Sequence, residues 1–250
     1  MSNSSVVKYW GIVPAAGIGS RMQSATPKQY LQLHNKTVLE HTLCRLAQLT
    51  SLEAIVVAIS DNDPYWPKLN LDIAKPIQTV KGGAERCHSV LNALESLADK
   101  AESSDWVLVH DAARPCVRTD DLVKLVTDVQ NHSTGGLLGI PVRDTMKRTD
   151  DQSNVTETVE RNNLWHALTP QMFRFGQLQQ AMNDAINKQF LVTDEASAME
   201  FAGYTPVMIE GHADNIKITR PEDLELASFY LQHQHEQGVV GLSNGLDDGG

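Results

Sequence analysis

The sequence predicts a single α/β domain around a mostly parallel central sheet, with one protruding β-hairpin arm. Three observations carry the prediction. Short apolar runs of strand length alternate with segments whose apolar residues recur at helical spacing, the order that gives a parallel sheet with right-handed crossovers. The 250 residues, 41% hydrophobic with 16 glycines in addition, fit one domain of this kind. No internal repeat interrupts the pattern, and no linker is long enough to separate a second domain. The domain is expected over residues 6–235, with the arm at about 142–166 and a disordered tail at 236–250.

Each element has its own signal. Residues 1–5 are polar and expected to be loose, and Tyr9 to Val13 reads as a buried first strand. It runs into Pro14-Ala15-Ala16-Gly17-Ile18-Gly19-Ser20-Arg21-Met22 and then Pro27-Lys28-Gln29-Tyr30. Small residues and two glycines let this backbone approach a ligand, and successive amides in such a turn form an anion-binding hollow. Arg21 and Lys28 follow at once, so the loop suits a polyphosphate; an ordinary strand-to-helix turn with solvated cations is the plainer reading. The dinucleotide fingerprint is absent, because Met22 stands where its third glycine belongs, and no P-loop string occurs anywhere.

Beyond the loop, Thr37 to Leu49 suits a one-faced helix, and Glu53 to Ile59, unbroken from Ile55, a strand covered on both faces. Asp61 to Pro67 holds turn formers, and Ile77 to Val80 is a weaker strand closed by Gly82-Gly83. Cys87, Val90, Leu91, Leu94, Leu97 and Ala98 mark a helix, and Trp106 to Val109 a strand that ends in His110-Asp111-Ala112-Ala113-Arg114-Pro115. Thr119 or Asp120 caps a helix through Val129, and Gly135 to Ile140 is a strand ended by Pro141. The period then fails. From Val142 to His166 the chain is charged and threonine-rich, with a polar turn at Asp150 to Asn154, which reads as a hairpin with little core of its own. Helices resume at Phe175 to Asn187 and Asp194 to Phe201, and Val207 to Ile209 is a strand. Thr219-Arg220-Pro221-Glu222 is a capping box opening a last helix along Leu224, Ala227, Ser228 and Leu231, and disorder is expected from Gly238.

Chemistry in such a sheet belongs at the carboxyl ends of its strands. Three clusters fall there: the first loop; Gly82-Gly83 with Arg86 and Ser89; and Asp111 with Arg114. Asp111 is either half of a loop-tying ion pair or the acid that holds Mg²⁺ beside phosphates. His110 reads as structural, since no G-x-S-x-G elbow accompanies it, and no Cys/His spacing suggests zinc. Thr193-Asp194-Glu195 is a helix cap with acids in its first turn, and Asp214 and Lys217 stand three apart before the last helix. A net charge of −10 argues against a nucleic-acid partner. No run of 18 apolar residues and no export signal is found, and Cys44, Cys87 and Cys116 lie far apart, so a soluble cytoplasmic protein without disulfides or membrane contact is expected.

Taken together and in order, PAAGIGSRM…PKQY, GGAER..SV, HDAARP, PVRDTMKR, TDEASAME and DNIKITRPEDL resemble the 2-C-methyl-D-erythritol 4-phosphate cytidylyltransferase family over about residues 7–232. The resemblance implies a Rossmann-like nucleotidyltransferase domain that joins CTP to a polyol phosphate, releasing pyrophosphate. It implies that Arg21, Lys28, Arg161 and Lys217 are catalytic and that Asp111 holds Mg²⁺ or another divalent cation. Pro14, Ala15, Ala16, Gly17, Gly83, Arg86, Ser89, Asp111 and Ala112 would form the CTP site. Arg114, Thr145, Arg161, Thr169, Thr193, Asp214 and Lys217 would hold the polyol phosphate. It implies as well a homodimer exchanging arms, so that Thr145 and Arg161 serve the partner's site. A ribitol 5-phosphate cytidylyltransferase shares this fold and loop chemistry, and a non-catalytic nucleotide sensor is the alternative of another class.

Overall fold

The structure is a computed structural model that describes residues 6–17 and 26–243, with side chains to 238. The chain runs β1 (Tyr9–Pro14), a 3₁₀ turn (Lys28–Tyr30), the small ribbon β2 (Gln32–Leu33) and β3 (Lys36–Thr37), then α1 (Val38–Ala47) and β4 (Leu52–Ile59). After a second 3₁₀ turn (Trp66–Lys68) come β5 (Ile77–Lys81), α2 (Arg86–Glu95), β6 (Trp106–Val109), α3 (Thr119–Val129) and β7 (Gly135–Pro141). The rest is β8 (Met146–Thr149), β9 (Val155–Val159), β10 (Trp165–Arg174), α4 (Phe175–Asn187), α5 (Glu195–Phe201), β11 (Val207–Glu210) and α6 (Glu222–Ser243).

Seven strands form one sheet in the order β11-β7-β10-β6-β1-β4-β5. Ile55, Val56, Val57 and Ala58 of β4 are wholly buried because helices cover both faces. On one face Leu39, Leu43 and Leu46 of α1 pack with Leu122 and Leu125 of α3. On the other, Val90 and Leu94 of α2 meet Leu178 and Met182 of α4 and Met199 of α5. A smaller cluster seats Ala227 and Leu231 of α6 on Val38, Cys116 and Ile218. The helix starts are fixed locally: Glu40 N donates to Thr37 Oγ1 at 3.2 Å while Thr37 N donates to Glu40 Oε2 at 2.6 Å, a reciprocal capping box.

Three expectations at helix ends are corrected; the sheet is mostly parallel as expected, with β10 antiparallel to both β6 and β7. This ten-residue central strand had no clear sequence signal. Its register shifts between Ala167 and Gln171, around Pro170, which has no N–H to give a ladder. The last helix continues to Ser243, past Gly238, and residues 244–250 lie outside the described ones. Its start is tied by Asp223 rather than Glu222, for Asp223 Oδ2 accepts from the backbone N of Thr219 and of Arg220 and from Thr219 Oγ1. Finally, Thr119 and Asp120 belong to α3 itself, whose preceding residue, Arg118, makes no side-chain cap bond.

Strands β8 and β9 pair only with each other, as a separate two-stranded sheet. Their side chains are exposed except Val159, so the hairpin buries almost nothing within its own chain.

Candidate active site

The carboxyl ends of β1, β5 and β6 open on one cleft of about 570 Å³. It lies beside β1, where the chain runs out to β4 and β5 on one side and then crosses back from β5 to β6 on the other. The cleft brings together Pro14, Ala15, Ala16 and Gly17 from the end of β1, Lys28 from the 3₁₀ turn, and Gly83, Arg86 and Ser89 from the start of α2. Asp111 and Ala112 from the turn after β6 and Lys217 from the loop before α6 join them. Each of these was expected at a site. Arg21 lies among residues 18–25, outside the described ones.

Asp111 is the hub of the charges. Its Oδ1 accepts from Arg86 Nε at 2.8 Å, and its Oδ2 pairs with Lys217 Nζ at 2.8 Å and lies 3.6 Å from Arg114 Nε. Burial alone raises this carboxyl, but Arg86, Lys217 and Arg114 outweigh it and hold Asp111 far below the ordinary carboxylate range. Arg86 spends the rest of its guanidinium on Glu195, a wholly buried residue in the first turn of α5, at 2.7 and 3.0 Å. Burial lowers Arg86, yet Glu195 and then Asp111 more than reverse it, so it is held as a cation. Sequence reasoning saw Glu195 only as a cap acid. Its role was hidden because its partner lies 109 residues away.

Behind Asp111 runs a chain of neutral bonds. Asp111 N donates to Thr169 Oγ1 at 3.0 Å, and Thr169 lies 2.9 Å from His110 Nδ1. His110 Nε2 faces the carbonyl of Arg114 at 3.1 Å, so Nε2 carries the proton and Nδ1 accepts from the threonine hydroxyl. Burial brings His110 down to about 4, leaving a neutral ring suited to support and not to proton transfer. That agrees with its reading as structural.

The loops are shaped by contacts that leave room for a ligand. Ser89 Oγ accepts Gly83 N at 3.0 Å and donates to Glu85 O at 3.1 Å, pinning the turn into α2. A Cβ at Gly82 would run into Ala16, and one at Gly83 into His88, so both glycines allow close approach. Lys28 Nζ donates to Ile218 O at 2.9 Å, which holds its head at the cleft. Glu85, Cys87 and His88 bring possible ligand atoms within 4.8 Å of one another at the rim, a grouping that spacing did not announce. Burial, with Glu85 second, pushes the Cys87 thiol up, so the sulfur stays protonated beside Glu85 Oε2 at 3.8 Å.

Other expected residues stand away from the cleft wall. Arg114 and Thr169 are buried behind Asp111. Arg114 Nη1 donates to Asn215 O at 2.6 Å, and Asn215 Nδ2 donates to Thr169 O at 2.8 Å, so both brace the loop carrying Lys217. Asp214 turns to Arg118 and Gln234, at 2.7 and 2.8 Å. These three are expected to hold substrate, and the contacts they make here brace the loops behind Asp111 and before Lys217. Thr193 is exposed before α5, its N donating to Ser197 Oγ at 3.1 Å. Thr145 and Arg161 line a separate hollow of about 270 Å³ at the hairpin, where Arg161 Nη1 donates to Arg143 O.

The end of β1 and the Gly83 turn, a buried anionic hub and flanking lysines at the switch point of a mostly parallel sheet fit an α/β protein that handles nucleotides. Within that class the match is specific. The model of the 2-C-methyl-D-erythritol 4-phosphate cytidylyltransferase family covers residues 10–233, and this chain belongs to that family. It is 49% identical over 233 residues to the 2-C-methyl-D-erythritol 4-phosphate cytidylyltransferase of Vibrio vulnificus (strain CMCP6), covering 93% of this chain and 98% of the relative. It is 52% identical over 222 residues to that of Pseudomonas fluorescens (strain Pf0-1), covering 88% and 94%. The crystal structure of the Francisella tularensis enzyme of that name superposes with a TM-score of 0.77 at 39% identity, over 89% of this chain and 99% of that one.

Proposed function

We propose that this protein transfers CMP from CTP to 2-C-methyl-D-erythritol 4-phosphate, forming 4-diphosphocytidyl-2-C-methyl-D-erythritol and pyrophosphate, a step of non-mevalonate isoprenoid synthesis. The carrying observation is the cleft where Asp111 and Lys217 face the glycine loop and Lys28. An oxygen of the polyol's phosphate attacks the α-phosphorus of CTP in line. The bond from that phosphorus to the α–β bridging oxygen breaks, and pyrophosphate leaves with the electron pair. No general base is needed, because a phosphate monoester is already an anion at neutral pH. Positioning and charge stabilisation therefore carry the reaction. Lys28, Lys217 and, by family resemblance, Arg21 offset the charge that gathers on the transferring group.

A hard divalent cation such as Mg²⁺ fits this cleft. Asp111 and Glu85 are the two acids lining it among the described residues, and phosphate oxygens would supply further ligands. Bound there, the ion would neutralise phosphate charge. The reading extends to a cytoplasmic homodimer. Thr145 and Arg161, assigned to the polyol phosphate, stand on an exposed hairpin apart from the cleft of their own chain, so a second chain would bring them to it.

The test is a pyrophosphate-release assay with CTP and either 2-C-methyl-D-erythritol 4-phosphate or ribitol 5-phosphate. Release with the first and little with the second is expected; preference for ribitol phosphate, or release with neither, overturns the reading.

A further inference from the structure

Three successive carbonyls at the end of β1 are each held by a side chain. Gln29 Nε2 donates to Ala15 O at 2.6 Å and to Gly17 O at 3.0 Å, and Ser60 Oγ donates to Ala16 O at 3.0 Å. Gln29 is almost fully buried in the 3₁₀ turn, and Ser60 follows β4, so both donors sit on framework elements. Ala15 N still serves the sheet, donating to Ala58 O at 2.7 Å, but Ala16 N and Gly17 N have no acceptor among the described residues. A peptide is planar and trans, so holding the carbonyl of one residue fixes the N–H of the next in the opposite direction. Left alone, a small-residue loop would sample several orientations of these units, and some would aim carbonyl oxygens at an anion.

We infer that Gln29 and Ser60 are positioning residues, a carbonyl clasp that sets the amides of Ala16 and Gly17 to receive the nucleotide's phosphates. The inference rests on the cleft's reading as a CTP site, though it can stand if the polyol substrate is another. Gln29 acts through the loop's peptides, with two bonds from one amide group, and Ser60 with one. A mutation there should therefore weaken phosphate recognition and leave the fold in place.

Calorimetric titration of the full-length protein with CTP and with pyrophosphate tests this, alongside thermal unfolding. Gln29→Leu should raise the Kd for both about tenfold or more, and Ser60→Ala about threefold, while Ser60→Thr, which keeps the hydroxyl, stays near wild type. Should Gln29→Leu fail to fold, the Ser60 pair decides. Near wild-type Kd values in folded Gln29→Leu overturn the clasp, as does equal weakening in Ser60→Ala and Ser60→Thr, or wild-type protein that binds neither ligand. Wild-type protein that binds CTP with the expected variant pattern, yet releases no pyrophosphate with either polyol phosphate, overturns the proposed function and leaves the clasp standing.

Discussion

A Cβ at Gly17 meets no described atom within 4 Å, whereas one at Gly83 collides with the His88 side chain. Gly83 is demanded by packing, whereas Gly17 lines the cleft with open space where a Cβ would stand. Gly17→Ala should therefore unfold at the wild-type temperature but bind CTP about tenfold more weakly, roughly 1.4 kcal/mol; calorimetry and a melting curve check it, and unchanged CTP affinity counts against the loop. His110 makes a different prediction. Its folded value of about 4 lies below the 6.5 of a free histidine, so between those values the unfolded chain takes up a proton that the folded one refuses. Stability should be full above about pH 6.5 and fall as pH drops towards 4, by about 3 kcal/mol from this group. Urea unfolding at pH 7 and pH 4.5 measures it, and His110→Gln should show a shallower fall.

At the scale of elements, the short helix α5 matters more than its seven residues suggest. Asp194 caps it, accepting Ser197 N at 2.9 Å, and Gln171 of β10 donates to Asp194 Oδ2 at 2.8 Å and accepts Ala196 N at 2.8 Å. The central antiparallel strand thus sets the helix, the helix sets Glu195, and Glu195 sets Arg86 against Asp111. Losing one partner of a buried pair leaves the other charge uncompensated. Glu195→Gln should cost about 3 kcal/mol of stability, and the Arg86→Gln/Glu195→Gln double variant clearly less than the two single losses summed. Urea-derived free energies of the four proteins test this; strict additivity would show that the pair is not coupled.

For the whole molecule, the arm is the open question that the fold poses. No helix of the described residues is long and apolar enough to cross a membrane. An isolated hairpin is marginal in water, and a second copy of the chain is the partner we propose for it. Lys28→Ala and Arg161→Ala should each lower kcat by about 10²–10³ as homodimers. Co-expressed, they form mixed dimers in which one site carries both lesions and the other neither. Activity should return to a substantial fraction of wild type in the purified mixed dimer; a verified mixed dimer as inactive as its parents sinks the shared site.

The sequence by itself determined the alternating strands and helices, because their signals are local: apolar runs, helical spacing and the glycine loop all lie within a few residues. It also determined much of the cleft, since Gly17, Gly83 and Asp111 stand at the ends of strands that could be recognised one at a time. It did not disclose β10, whose histidine, threonine and proline hide a strand that only its two neighbours make favourable. The tertiary structure alone decided which distant groups Arg114, Thr169 and Asp214 touch, and that Glu195 reaches Arg86 and Gln29 the carbonyls behind the loop. Those roles depend on long-range pairing. A buried polar group finds its partner only after the sheet has closed, and nothing in its own stretch of chain says which partner that is.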